Sequence, residues 1–185
     1  MGIDRGTCRA VFLDRDGVIN RAIVRDGKPY PPATVDAVEI LPGVADGLAR
    51  LRDAGFRLVV VTNQPDIARG TQARDVVETI HAHLAAVLPI DEFRVCGHDD
   101  DDACTCRKPK PGMLKDAARA ADIDLAASFM VGDRWRDIEA GRTAGCRTVF
   151  IDYHYEERRP ENPDVIVRLF PDAVDWILGE GRDLA

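Results

Sequence analysis

The chain has 185 residues, 45% of them hydrophobic and 31% charged, with a formal net charge of −7. That length is enough to bury a sizeable core, and that balance excludes a disordered or membrane-embedded chain. The acidic excess also argues against nucleic acid as a partner, because a phosphate backbone wants a basic face.

Residues 8–13 are an apolar run that predicts a buried strand. The polar stretch after it carries Gly27, Pro29, Pro31 and Pro32 and is too punctuated for a helix. Residues 44–54 predict a helix: Val44, Leu48 and Leu51 recur at helical spacing between Pro42-Gly43 and Gly55. Residues 56–61 predict a second strand. Residues 71–88 predict a longer helix with Val76, Val77, Ile80, Leu84 and Val87 on one stripe. A short strand at 90–95 leads into an irregular stretch at 97–110. A helix at 111–121 begins on proline, where the missing N–H does no harm. Strands at 128–131 and 147–151 flank a helix at 135–144. A last strand at 164–169 and a closing helix at 173–178 complete the order. Strand–helix alternation predicts an α/β fold, a doubly wound parallel sheet with helices on both faces, as one domain over residues 1–185.

No apolar run approaches the roughly 20 residues needed to span a bilayer. Residues 1–6 lack the apolar centre of a signal peptide. The expectation is a cytoplasmic protein with no membrane partner, and a monomer by default.

In an open parallel sheet, ligands sit beyond the carboxyl ends of the strands. Three apolar runs end there in chemistry. After the first come Asp14 and Asp16, whose i, i+2 spacing points both side chains one way. Gly17 then lets the chain turn sharply. Asp-Gly alone is turn chemistry, but directly after a buried strand it reads as a site. After the second run, Thr62 and Asn63 offer donors to phosphate oxygens. Arg69 nearby is either an added cation or a solvated loop residue. After the third, Asp133 and Asp137 lie one helical turn apart and offer carboxylate oxygens suited to Mg²⁺. Asp137 also suits a helix N-terminus on its own account. Arg134 beside them either reaches an anionic substrate or lies on the surface.

Of five cysteines, three fall within residues 96–106. Cys96, His98, Cys104 and Cys106 make a closed set of three thiolates and one imidazole, the usual donor set of structural zinc. Such an ion would staple a loop that has few apolar residues of its own. Residues 99–102 read as a solvated tip. The cations Arg107 and Lys108 follow at once, aimed by the staple. A phosphate dianion can enter an acidic metal site only beside such compensating cations. Lys110 has no assigned role.

Asp14-x-Asp16-Gly17-Val18, Thr62-Asn63, Lys108 and Gly132-Asp133-x₃-Asp137 together resemble the four motifs of the haloacid dehalogenase-like (HAD) phosphohydrolases, in order. Asn20, Gln64, the Ile67-Ala-Arg-Gly70 run, the Cys/His loop and Cys106-Arg-Lys-Pro109 resemble that family's zinc-containing branch, whose members act on heptose bisphosphates or histidinol phosphate. Pro111-Gly112-Met113 is more similar to the heptose enzymes. Two stretches differ: Pro65-Asp66 stands where the family often has Ser-Gly, and Arg134 where a lysine often follows the aspartate.

The resemblance implies a phosphatase that uses Mg²⁺ and Zn²⁺ on a small sugar phosphate. Asp14 would be the nucleophile and Asp16 the general acid and base. The ligands of Mg²⁺ would be Asp14, the backbone carbonyl of Asp16, Asp133 and Asp137. Thr62, Asn63 and Lys108 would bind the transferring phosphoryl group, with Arg107 and Arg134 toward the substrate. Arg25, Lys28, Arg107 or Arg134 would meet a second phosphate. The motifs lie too close together for a large cap domain.

Overall fold

The computed structural model describes residues 8–180; residues 1–6, where a signal peptide would begin, lie outside them. In chain order the elements are β1 (Arg9–Leu13), β2 (Ile23–Arg25), β3 (Lys28–Tyr30), α1 (Val44–Asp53), β4 (Phe56–Asn63), α2 (Arg74–Val87), β5 (Glu92–Cys96), α3 (Gly112–Ala121), β6 (Phe129–Gly132), α4 (Trp135–Ala144), β7 (Arg147–Ile151), β8 (Val165–Val167) and α5 (Phe170–Glu180). A 3₁₀ turn, Val35–Ala37, precedes α1. Among the described residues no helix is long and apolar enough to cross a membrane.

Six strands form one sheet in the order β5-β4-β1-β6-β7-β8, and every neighbouring pair is parallel. Side chains alternate faces along a strand, and β1 shows the consequence. Val11 and Leu13 join one core with α1, α2 and α5 through Leu48, Ile80 and Val174. Ala10 and Phe12 join the other with α3 and α4 through Leu114 and Ala140. The sheet is therefore covered on both faces, as the alternation of elements predicts. β1 lies at its centre, with the order running outward to β4 on one side and to β6 on the other. The carboxyl ends of these three strands open into one crevice.

Three details differ from the sequence reading. The proline-marked stretch is not all loop: β2 and β3 pair as an antiparallel hairpin. Its turn is Asp26-Gly27, both at positive φ (48° and 70°), the conformation a tight two-residue hairpin requires. The helix expected from residue 71 begins at Arg74. On that helix Val87 is 55% exposed although it falls on the apolar stripe, while His81 is buried.

Candidate active site

Asp14 is the first residue beyond β1, and its backbone N–H donates to Val131 O at 3.0 Å, which ties it to β6. Asp133 follows β6, and Asp137 sits in the first turn of α4, where its Oδ2 caps the helix by accepting from Arg134 N at 3.0 Å. One carboxylate oxygen from each of Asp14, Asp133 and Asp137 lies within 4.8 Å of the others, and all three residues are buried. Lys108 Nζ donates to Asp14 Oδ1 at 2.8 Å and pairs with Asp137 Oδ1 at 2.6 Å. Burial works against the Lys108 charge, but Asp137 and Asp14 more than restore it and hold its pKa above the usual lysine range.

One cation does not neutralise three buried acids. Burial pushes the Asp14 carboxyl up to about 6, with Lys108 opposing and the Asp137 and Asp16 charges adding to the rise. Burial likewise drives Asp133 well above the carboxylate range, helped by Asp14 and Asp137. Neither Asp133 oxygen has a hydrogen-bond partner of ordinary geometry. The Tyr155 hydroxyl approaches this carboxylate, but buried oxygens so sparsely supplied with donors, next to two further carboxylates, are what a hard divalent cation needs. The trio fits Mg²⁺. Gly17 makes the arrangement possible: its φ is +98°, and a Cβ there would stand 1.8 Å from Asp133 Oδ2.

The Asp16 side chain lies outside that trio. Arg15 Nε and Nη2 grip its two oxygens at 3.0 and 2.9 Å, Asn20 Nδ2 donates at 3.0 Å and Gln64 Nε2 at 2.9 Å. Burial pushes its pKa up, but Arg15 and these donors outweigh burial and hold the carboxyl below the usual range. Its carboxylate still lines the crevice with Asp14.

Thr62 and Asn63 end β4 at the same crevice. Thr62 Oγ1 accepts from Gln64 Nε2 at 2.8 Å. Asn63 spends its amide on the backbone of Lys108: Nδ2 donates to Lys108 O at 2.9 Å, and Oδ1 accepts from Lys108 N at 3.0 Å. Its side chain thus aims the lysine. Arg15, Asn20 and Gln64 were not singled out in the sequence as site residues. The i, i+2 spacing of Thr62 and Gln64 was the available signal, because it puts both on one side of an extended segment.

Cys96 ends β5, and the loop after it returns His98, Cys104 and Cys106 to the same point. Cys96 Sγ lies 3.6 Å from His98 Nδ1, 3.9 Å from Cys104 Sγ and 3.2 Å from Cys106 Sγ, and Cys106 Sγ lies 3.3 Å from His98 Nδ1. A tetrahedral zinc ion spaces its sulfur ligands about 3.8 Å apart and its sulfur and nitrogen ligands about 3.5 Å apart. The donor set fits zinc, and Nδ1 is the His98 atom that faces the sulfurs. Burial pushes the Cys96 thiol up to about 12, and a bound cation reverses that cost by deprotonating it.

Arg107 ties this loop to the crevice. Its Nε donates to Asp100 Oδ1 at 2.9 Å and its Nη1 to His98 O at 3.1 Å. Arg136 Nη1 meets the same Asp100 oxygen at 2.9 Å. The loop tip is solvent-exposed at residues 100–102, as expected, and Asp99 and Asp100 on it are also ion-paired. Arg134 pairs with Glu157 through both carboxylate oxygens. Arg107, Arg134, Arg136, Lys28 and Lys108 line a cavity of about 220 Å³ with Asp14 at its base. Arg25 stands outside it, over the Tyr30 ring at 5.8 Å.

A buried aspartate at the end of the central strand, a lysine beside it and two further acids for a metal define a metal-dependent hydrolase that handles a phosphoryl group. Residues 105–173 match the HAD-hydrolase-like family model. The chain is 36% identical over 187 aligned positions to D-glycero-beta-D-manno-heptose-1,7-bisphosphate 7-phosphatase of Escherichia coli K12, covering 95% of this chain and 91% of that protein. It is 39% identical over 146 positions to the protein of the same name from Pseudomonas aeruginosa, covering 76% and 79%. The crystal structure of D,D-heptose 1,7-bisphosphate phosphatase from B. bronchiseptica, complexed with magnesium and phosphate, superposes with a TM-score of 0.79 at 33% identity, over 93% of this chain and 99% of that one. The chain belongs to the HAD-like hydrolases, and it is a phosphatase of that family.

Proposed function

We propose that this phosphatase removes the 7-phosphate of D-glycero-D-manno-heptose 1,7-bisphosphate, and that residues 1–185 form one catalytic domain. The observation that carries the reading is Lys108 held between Asp14 and Asp137 beside the buried Asp133 carboxylate, whose oxygens have no hydrogen-bond partner of ordinary geometry. That constellation pairs a nucleophile with a cation and a metal seat at the base of a cavity lined by both basic and acidic side chains.

In this reading an Asp14 oxygen attacks phosphorus in line with the sugar oxygen. The P–O bond to the sugar breaks, and an aspartyl-phosphate forms on Asp14. Asp16 gives its proton to the departing oxygen. Water then attacks the phosphorus, Asp16 takes a proton from it, the bond from phosphorus to the Asp14 oxygen breaks, and inorganic phosphate leaves with the Asp14 carboxylate restored. To act as an acid, Asp16 must carry a proton, so part of its present grip by Arg15 and Gln64 has to loosen when substrate fills the cavity. Lys108 stabilises the charge that spreads over the phosphoryl oxygens, with Thr62 beside it. Mg²⁺ on Asp14, Asp133, Asp137 and the Asp16 carbonyl would supply a Lewis acid and cancel the repulsion between carboxylate and phosphate. Zn²⁺ on Cys96, His98, Cys104 and Cys106 would hold the loop that carries Arg107 and Lys108.

A bisphosphate asks for further cations above the reacting group. Lys28 on the cavity wall supports that reading, and Arg107 and Arg136, which share Asp100, and Arg134, which pairs with Glu157, would have to trade those carboxylates for the phosphate. The cytoplasm is the proposed compartment, because the zinc thiols must stay reduced to bind the ion.

Phosphate release from the heptose bisphosphate and from histidinol phosphate, measured side by side with Mg²⁺, tests the choice. We expect kcat/KM to favour the heptose bisphosphate by roughly tenfold or more, the value of one well-used phosphate contact. The reverse order would assign the chain to histidinol phosphate. Asp14→Asn should fold and hydrolyse nothing; no hydrolysis of any phosphate ester by the unsubstituted protein would leave a non-catalytic zinc-stapled binding module.

A further inference from the structure

Arg15 stands between the two catalytic aspartates in sequence, yet it is fully buried, at 0% exposure. A guanidinium carries five N–H donors and stays charged, so burying it demands acceptors. Asp16 provides two, through both of its oxygens. A third donor, Nη1, meets Nε2 of His81 at 3.0 Å. Among the described residues the Arg15 side chain hydrogen-bonds to Asp16 and His81 alone. Arginine can only donate, so Nε2 must accept and the ring proton must sit on Nδ1. His81 projects from α2, and its ring is held against Phe93 of β5 in a stack with centroids 4.6 Å apart and planes 19° apart.

We propose that His81 is a positioning residue for hydrolysis: as a neutral acceptor for Arg15, it fixes the guanidinium that in turn aims Asp16. The inference rests on the phosphatase reading of the site. The chemistry of position 81 is narrow. An apolar side chain would leave a buried N–H without a partner, and a carboxylate would compete with Asp16 for Arg15. An imidazole avoids both, and Phe93 aims it. Asn20 and Gln64 hold Asp16 through neutral donors. Among the described residues Arg15 is its one charged partner, so the chain Phe93–His81–Arg15 governs where the carboxylate rests before substrate draws it toward the leaving oxygen.

Two substitutions separate positioning from packing. His81→Phe keeps a ring for the Phe93 stack and removes the acceptor. His81→Gln returns an acceptor within reach of Nη1. Misplacing an acid–base group by about 1 Å costs up to about 100-fold. We therefore expect His81→Phe to lower kcat on the heptose bisphosphate by roughly 10- to 100-fold with KM changed less than about twofold, and His81→Gln to recover kcat to within about threefold. Phe93→Leu, which leaves the acceptor but removes its support, should change kcat in the same direction and by less. Crystal structures of the variants give a reading independent of turnover: the Arg15–Asp16 pair shifts in His81→Phe and stays in His81→Gln. Unchanged kcat in His81→Phe would overturn the proposal. So would an equal loss in both His81 variants that merely tracks their melting temperatures, or an unmoved Arg15–Asp16 pair. If the unsubstituted protein hydrolyses no phosphate ester, the phosphatase reading fails separately and the crystal comparison alone decides the positioning claim.

Discussion

Lys108 reaches Asp14 from the far end of the zinc loop, its Nζ 2.8 Å from Asp14 Oδ1, across 94 positions of sequence. Its backbone is clamped by both ends of the Asn63 amide. A single buried cation thus touches both the proposed nucleophile, Asp14, and the helix-capping acid, Asp137.

Lys108→Met should remove two functions at once. Loss of one preorganised charge at the transition state costs about 100- to 1,000-fold in kcat, so phosphate release should fall by that order at saturating Mg²⁺. Breaking a buried pair costs about 3–5 kcal/mol. Urea unfolding of the metal-free variant should show a loss of that size, with Mg²⁺ restoring part of it. Activity within a few-fold of the unsubstituted enzyme would remove Lys108 from the mechanism.

Magnesium binding should weaken steeply in acid. Asp14 titrates at about 6 and Asp133 lies well above the ordinary carboxylate range in the metal-free form. A protonated carboxyl cannot ligate, so loading the ion must expel protons. The dissociation constant for Mg²⁺ should tighten as pH rises through 6 and beyond, toward the range where Asp133 ionises. Titration calorimetry in buffers of different ionisation enthalpy should record proton release on binding. A pH-independent affinity would mean that the trio does not hold the ion.

Zinc should be present at one ion per chain, measurable by elemental analysis of protein purified without chelator. Stripping it, or replacing Cys104 and Cys106 by Ser, should lower the melting temperature. It should also lower kcat/KM, because Arg107 and Lys108 lose the loop that aims them. Protein free of zinc yet fully active would refute the staple.

Gly17→Ala tests the tightest contact in the crevice. The added methyl would fall 1.8 Å from Asp133 Oδ2 on a backbone at φ +98°. Displacing that carboxylate should weaken Mg²⁺ binding by about 10- to 100-fold, the scale seen when ligand orientation is disturbed. The midpoint of Mg²⁺ activation reads this directly.

Much of the site was legible because its chemistry is local. Asp14, Asp16, Asp133 and Asp137 follow apolar runs, and the rule that ligands sit at strand ends is enough to bring them together from the amino-acid order. The Cys/His loop is likewise local, since four soft donors within eleven positions have few other uses. The hairpin was missed although Asp26-Gly27 marks it, because the prolines around it mask the strand pattern.

Sequence by itself determined the order of the six sheet strands and five helices, the acids, the Cys/His cluster and the family, because periodicity and motif spacing are properties of neighbouring residues. Only the tertiary structure decided what each side chain does. It set Asn63 to holding Lys108 where phosphate binding was expected, drew Asp16 into the grip of Arg15, and put His81 behind both. Those pairings join residues 45, 1 and 66 positions apart. Even the adjacent pair depends on distant packing, because a guanidinium turns inward only where the fold supplies buried acceptors to receive it.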